Sequence, residues 1–127
     1  MKFLYTAIFV FIFSTFAFSQ RVANASSSSD FKTLKGGFVE SVFTFNEPLS
    51  AQESANIIQW AKANEPNVLI TVTPDNKQLT LQLTADYNQK ALYDKMFYQI
   101  SVENITVYHN GQPVALSKEA FFEKFNF

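Results

Sequence analysis

The sequence predicts an α+β fold with the element order βαββαβ, in which an antiparallel four-stranded sheet carries two helices on one face. Four segments between residues 38 and 109 alternate apolar and polar side chains with the period of two that is typical of strands. Two segments between them repeat apolar residues at helical spacing, and each begins near a residue that can cap a helix. Two βαβ units of this length favour one layer of helices packed on one sheet.

The first two predicted elements are a strand over residues 38–45 and a helix that begins after Ser50. Alternation along the strand puts the odd-numbered side chains on one face, and most of these are apolar. Ser50 is a candidate N-cap, and Glu53 follows at the third position, which is the pattern of a capping box. Pro66 ends the helix, because proline lacks an N–H donor and disfavours helical backbone at the residue before it.

A hairpin and a second helix are predicted next. Residues 68–73 and 79–84 alternate cleanly, and the segment between them, Pro74-Asp75-Asn76-Lys77, is rich in turn residues. Asp86, with Gln89 three positions later, predicts the N-terminus of a helix whose apolar side is formed by Leu92, Met96 and Ile100.

The last part of the chain predicts a second hairpin and a short helix. Residues 105–109 are expected to be the fourth strand, and Asn110-Gly111 favours a two-residue turn back into residues 114–116. Pro113 belongs on an edge strand, because it has no donor for a second neighbour. Ser117 is expected to cap a short helix that carries three aromatic residues, Phe121, Phe122 and Phe125.

This element order is that of the ferredoxin-like sandwich, to which residues 113–127 add a β-hairpin strand and a helix. The right-handed crossover rule favours the same topology. In such a sheet the second and fourth strands lie at the edges. The returning strand would cover the fourth, so that residues 68–73 are expected to remain an open edge.

Residues 1–19 are expected to be a signal peptide. Residues 3–18 form an apolar run with six phenylalanines, which is shorter than the ~20 residues that a membrane-spanning helix needs. Ala17-Phe18-Ser19 puts small residues where a signal peptidase reads them, so cleavage is expected before Gln20, while Ala23-Asn24-Ala25 is a second, less well placed site. The signal segment resembles those of flavobacteria, and the mature chain is expected to be periplasmic or secreted.

Residues 20–37 are expected to be a flexible leader, because residues 26–29 are four consecutive serines and cannot bury apolar surface. Gly36-Gly37 marks a turn at its end. A single domain is then expected over residues 38–127.

Composition argues against several classes of partner. Removal of residues 1–19 takes away one lysine and leaves 9 basic and 11 acidic residues, with the two signs scattered. This balance lacks the basic stripe that nucleic acid requires and the basic cluster that docks on anionic membranes. The chain has no cysteine, so the fold must be stabilised by packing without disulfides.

Three segments resemble the heavy-metal-associated domains of copper chaperones and metal-pumping ATPases: "FTFNEPLSAQESANIIQW", "NVLITV" and "KQLTLQL". The resemblance covers residues 38 to about 107 and implies a ferredoxin-like fold with a metal-binding loop after the first strand. The family carries a Met-x-Cys-x-x-Cys motif in that loop. This sequence has Glu47-Pro48-Leu49-Ser50-Ala51-Gln52 there, without cysteine or methionine. The resemblance therefore implies the fold without the metal ligands.

Other metal sites and catalytic sites find little support. The only histidine, His109, ends a strand beside a turn, which is typical of a solvated position. Met96 is expected in the core, so soft ions such as Cu(I) lack thiolate and thioether ligands. Glu47 and Glu53 together supply too few oxygens for Ca²⁺. No nucleophile–base pair and no glycine-rich phosphate loop is recognisable, so neither an enzyme nor a cofactor is expected.

Binding surfaces are the remaining candidates. If the apolar strand faces meet the helices, the opposite sheet face carries many threonines together with larger apolar side chains. The simplest expectation is that the C-terminal helix packs on that face, and contact with a partner protein is the alternative. The candidate interaction surface consists of Phe38, Val42, Leu69, Thr71, Tyr108, Phe121, Phe122 and Phe125.

The sequence therefore predicts an exported, non-catalytic interaction module that contacts a protein or peptide in the cell envelope. Two alternatives stay open. Secreted protease propeptides share this topology, which suggests an inhibitor-like module, and a metal carrier with ligands other than cysteine is the other.

Overall fold

The computed structural model describes residues 21–25, 31–109 and 111–127. Within these residues the chain is an α+β structure with a mixed seven-stranded sheet and three α-helices. The elements in chain order are β1 (Arg21–Ala25), β2 (Leu34–Lys35), β3 (Phe38–Phe45), α1 (Ala51–Ala63), β4 (Val68–Val72), β5 (Gln78–Leu83), a 3₁₀ turn (Ala85–Tyr87), α2 (Lys90–Gln99), β6 (Val102–His109), β7 (Gln112–Ser117) and α3 (Lys118–Lys124).

The sheet has more strands than the sequence predicts. Its order is β4-β5-β3-β1-β6-β7, and the short β2 pairs with β3 off this path. β1 runs parallel to β6 and every other pair is antiparallel, so the expectation of a wholly antiparallel sheet is wrong. β1 causes the difference, because it lies between β3 and β6.

β1 occupies part of the segment that was expected to be a flexible leader over residues 20–37. Arg21, Ala23 and Ala25 are buried, and Ala23 lies opposite Phe45 on one side and Ile105 on the other. Phe31 is also buried in the core. The prediction of a flexible leader is therefore wrong on both sides of the serine run, where β1 and Phe31 are ordered parts of the fold. Residues 26–30 and the expected signal peptide lie outside the described residues.

The predicted hairpins are confirmed. β4 and β5 pair antiparallel across the turn at residues 73–77, and β6 pairs with β7 in a register that puts His109 opposite Gln112. β7, with Pro113, and β4 are the two edges of the sheet, as predicted.

The helix caps are confirmed at two of three positions. Ser50 accepts from the Glu53 backbone N–H, while the Glu53 side chain accepts from the Ser50 N–H, which completes the capping box. Ser117 accepts from the Ala120 N–H at the start of α3. The prediction that Asp86 caps the second helix is wrong, because α2 begins only at Lys90, after the 3₁₀ turn.

All three helices bury side chains in one core on the same face of the sheet. The contributions come from Ile57 and Ala61 of α1, Tyr93, Met96 and Phe97 of α2, and Phe121 and Phe122 of α3. These side chains meet the buried strand residues, which include Phe43, Leu81 and Ile105. We call this side of the sheet the inner face and the opposite side the outer face.

Candidate functional site

The loop between β3 and α1, residues 46–50, holds the guanidinium group of Arg21. The Arg21 Nε donates to the carbonyl oxygen of Glu47 and Nη2 to that of Pro48, both at 3.0 Å. Asn46 of the same loop also binds the backbone of β1, because its side-chain oxygen accepts a hydrogen bond from the Val22 N–H at 2.8 Å. The loop in which the family resemblance puts a metal is therefore occupied by a side chain of this chain.

Arg21 also forms a bidentate ion pair with Glu53. Nη1 and Nη2 each donate to one carboxylate oxygen at 2.9 Å, and Nη1 donates in addition to the carbonyl oxygen of Ile100. With the two bonds to the loop, all five N–H groups of the guanidinium are used. Arg21 thus has no donor left for an anionic ligand, and the cluster is a structural one.

The ion pair changes the acidity of Glu53. Burial acts to raise the pKa of this carboxyl, but the hydrogen bonds from Arg21 and Ser50 and the charge of Arg21 outweigh it and lower the pKa from 4.5 to about 2. Glu53 is therefore a carboxylate at any physiological pH. Its role in the cap is predictable from the sequence, whereas its second role, as the partner of Arg21, is not.

No group of three or more His, Cys, Asp or Glu side chains that could hold a metal ion occurs among residues 21–25, 31–109 and 111–127. Met96 is fully buried in the core, as predicted. Within the same described ranges, no helix has the length and apolar character needed to cross a membrane.

The predicted interaction residues divide into two groups. Phe38, Val42, Leu69, Thr71 and Tyr108 lie on the outer face, where Thr71 is exposed and Tyr108 is 57% exposed, while the other three are half-buried. Phe121 and Phe122 are buried on the inner face and Phe125 is half-buried beside them. The expectation that the C-terminal helix covers the outer face is therefore wrong.

Aromatic packing explains the position of α3. The Phe121 ring lies 5.9 Å from that of Phe97 and 5.1 Å from that of Phe31, both in edge-to-face geometry. Phe125 lies 4.6 Å from Phe31. Phe122 lies 6.4 Å from Phe97. Phe121 and Phe122 of α3, and Phe125 directly after it, thus have aromatic partners on the inner face, where α2 and β3 already supply apolar surface.

A cleft of about 290 Å³ lies between the C-terminal end of α1 and the beginning of α2. Its lining mixes apolar side chains with amide, acidic and basic groups: Trp60, Asn64, Asp86, Tyr87, Gln89, Ala91, Leu92 and Lys95. Trp60 is half-buried and packs against the core. The volume falls at the lower end of the range for small-molecule pockets.

The free edge of β4 is the most distinctive surface of the described residues. Hydrogen bonds from Thr73 N to Gln78 O at 3.0 Å and from Thr84 N to Asn67 O at 3.1 Å fix which residues of this segment bond to β5. Backbone groups of an antiparallel strand alternate between its two sides. The N–H and C=O groups of Ile70 and Val72 therefore point away from β5, towards the open side of the sheet.

This edge lacks most of the features by which proteins protect exposed strands. Neither a proline nor a charged side chain occurs over residues 67–73, and the register with β5 runs without a bulge. β7 at the opposite edge carries Pro113, whose ring removes one donor from the strand. The two edges of the sheet thus differ in how readily another strand can pair with them.

Comparisons of this chain with protein-family models, with curated proteins and with solved structures gave no match.

Proposed function

We propose that this chain is an exported, non-catalytic interaction module that binds an extended segment of a partner protein beside β4. The observation that carries the proposal is the row of outward-pointing backbone groups at Ile70 and Val72, on an edge without charge or proline. Strand addition uses such groups for affinity and pockets for alternate side chains for specificity. Export rests on the expected signal peptide over residues 1–19, and the partner is therefore a protein or peptide of the cell envelope.

The outer face supplies the side-chain part of the contact. Leu69 and Thr71 of β4 project to this face, and Thr71 is exposed. A strand added beside β4 would bring its own alternate side chains next to these two. Half-buried Leu69 offers apolar contact area, and Thr71 can donate or accept a hydrogen bond across the strands.

The fold part of the proposal is a ferredoxin-like sandwich enlarged by an inserted strand. When β1 and β2 are set aside, the remaining order β4-β5-β3-β6 is the order in which that fold arranges its four strands. β6 runs antiparallel to β3 across the intervening β1, which also agrees with that fold. This agreement supports the resemblance to heavy-metal-associated domains in topology, with Arg21 in the loop where that family binds metal.

The test uses a substitution that changes the edge and spares the fold. Val72→Pro removes the outward N–H of Val72, and proline is tolerated on an edge strand when its missing donor faces solvent. Val72→Ala is the matched control, because it loses the same packing and keeps the donor. Circular dichroism establishes that both variants are folded.

Binding is measured with peptides selected from a phage-displayed library of random twelve-residue sequences against the immobilised exported chain. We expect the selected peptides to bind the wild type and Val72→Ala and to lose binding to Val72→Pro. Amide exchange should also show new protection at Ile70 and Val72 in the complex. Peptides that bind Val72→Pro as tightly as the wild type, or that protect only residues around Trp60, would contradict the proposal.

A further inference from the structure

The two valines of β4 lie at equal distances from its central residue, Ile70. The strand reads Val68-Leu69-Ile70-Thr71-Val72, so that valine stands two positions before and two positions after Ile70. When two identical strands pair antiparallel, a twofold axis relates them, and this axis can lie midway between one residue and the same residue of the second copy. Here that residue would be Ile70, and each Val68 would then face Val72 of the second copy.

We propose, resting on the proposed function of the β4 edge, that its partner is β4 of a second copy of this chain. The geometry of the backbone agrees with an axis at Ile70. Because the Ile70 groups point outward, the two Ile70 residues would exchange N–H···O=C bonds as a hydrogen-bonded pair. An axis at Leu69 or Thr71 would also bring outward-pointing groups together, but only an axis at Ile70 puts the two valines of the strand opposite each other, and the cross-linking test below distinguishes these registers.

The flanking positions supply a second set of hydrogen bonds. The Val72 N–H of one copy would donate to the Val68 carbonyl of the other, and the symmetry repeats this bond at the opposite end. The Val68 N–H is already donated to the Asn64 carbonyl at 3.3 Å, so it takes no part. The backbone groups that this pairing uses are therefore the ones that point away from β5 in the single copy.

The side chains of β4 suit the same pairing. Ile70 and Val72 are half-buried in the single copy; on the inner face, Ile70 would pack against Ile70 of the second copy, and Val72 against its Val68. On the outer face Leu69 would lie opposite Thr71 of the second copy. The uncharged run from residue 67 to residue 73 brings no like charges together within the paired strands, as a twofold axis through a charged strand would.

Pairing at β4 would also cover the less protected of the two sheet edges. The two sheets would become one, bounded at both ends by β7 with its Pro113. A contact that is the same patch on both copies closes on itself and does not continue into a fibre. Residues 67–73 carry no charge that would oppose its own copy, and the two valines match across an axis at Ile70, which is why the observations favour a second copy.

The absence of native cysteine makes the register directly measurable, because Leu69→Cys and Thr71→Cys introduce single thiols. In the proposed pair these positions form a non-hydrogen-bonded pair with Cα atoms about 4.5 Å apart, within the range of a disulfide. We expect an equal mixture of the two variants to form a disulfide-linked dimer under mild oxidation. Either variant alone should remain largely reduced, because each residue then faces its own copy only diagonally.

Sedimentation velocity of the exported chain measures the association itself. We expect a concentration-dependent dimer for the wild type and Val72→Ala, and a monomer for Val72→Pro. Thr71→Lys serves as a second variant, since it keeps every backbone group and puts a charge opposite Leu69 of the other copy; it should weaken the dimer. A wild type that remains monomeric at every concentration, a dimer unaffected by both edge variants, or equal cross-linking in the mixture and in the single variants would overturn the inference.

The outcomes separate this inference from the proposed function. A monomeric chain that still binds selected peptides through the Val72 N–H overturns the second copy and leaves strand addition in place. A chain whose β4 edge engages neither peptides nor a second copy overturns both.

Discussion

The Nη1 and Nη2 atoms of Arg21 each lie 2.9 Å from a carboxylate oxygen of Glu53, so β1 is held to the first turn of α1 by a bidentate ion pair. The Arg21 side chain is only 8% exposed and that of Glu53 21% exposed. The ion pair is therefore largely shielded from water, so that removal of one partner leaves a buried charge on the other without a counter-charge.

Replacing Arg21 by methionine should lower the free energy of unfolding by about 3 kcal/mol, because buried ion pairs are costly to break from one side. Urea unfolding of the wild type and the variant measures the difference. Lys118→Met is the comparison: the Lys118 side chain is also largely buried, at 12% exposed, but its partners Asp94 at 3.4 Å and Glu103 at 3.8 Å are 58% and 47% exposed, so the carboxylates left behind stay hydrated and the loss should cost less than about 1 kcal/mol. Equal effects of the two substitutions would show that the Arg21 cluster adds no more than a surface pair.

Stability should depend on the ionisation of Glu53 in acid. Its pKa is lowered from 4.5 to about 2 in the folded chain, so the carboxylate contributes stability that is fully present above pH 4.5 and is lost as the pH falls towards 2. In urea unfolding at a series of pH values, the stability difference between the wild type and Glu53→Gln should be constant near neutrality and shrink between pH 4.5 and 2. A difference that stays the same across this range would contradict the lowered pKa.

Phe121→Ala should destabilise the chain by about 3–5 kcal/mol, the range for removal of a buried phenylalanine ring. Phe121 has no exposed surface and contacts the rings of Phe31 and Phe97. Tyr108→Ala removes an aromatic ring from the outer face, where the side chain is 57% exposed, and should cost less than about 1 kcal/mol. Thermal unfolding of both variants checks the contrast, and similar shifts in Tm would argue against the inner-face position of α3.

The mature chain should begin at Gln20. Cleavage after Ala25, at the second site that the sequence offers, would remove Arg21, Ala23 and Ala25 from the centre of the sheet. Mass spectrometry of the exported protein distinguishes the two ends. A stable product that begins at Ser26 would show that the fold survives without β1.

Much of the element order from residue 38 onward could be predicted, because local signals determine it. Alternation marked β3, β4 and β5, and Asn110-Gly111 marked the last hairpin. β1 could not be predicted in the same way, since five residues beside a serine run resemble a leader, and their burial arises from pairing with β3 and β6, far along the chain. The sequence offers little signal here, because the buried positions include the charged Arg21 while its apolar neighbour Val22 is only half-buried.

The surface of the chain was less predictable than its strands. The open edge at β4 followed from the topology, whereas the face that α3 covers did not. Phe121, Phe122 and Phe125 mark an apolar helix, but an apolar helix fits either side of a sheet, and only the aromatic partners at Phe31, Tyr93 and Phe97 decide between them. To know that the backbone groups of Ile70 and Val72 point outward, one must know which residues of β4 bond to β5, and hydropathy does not give that information.

The position of β1 has a consequence for when the protein becomes native. Among the described residues, β1 is the one strand that joins the two halves of the sheet, β4-β5-β3 with β2 on one side and β6-β7 on the other. It comes first along the chain, yet it pairs Arg21 with Val102, so the bridge requires one of the longest loop closures available to this sequence. If residues 1–19 direct export, as proposed, β1 directly follows the signal segment, so the strand that joins β3 to β6 can take its place only when that end of the chain is free.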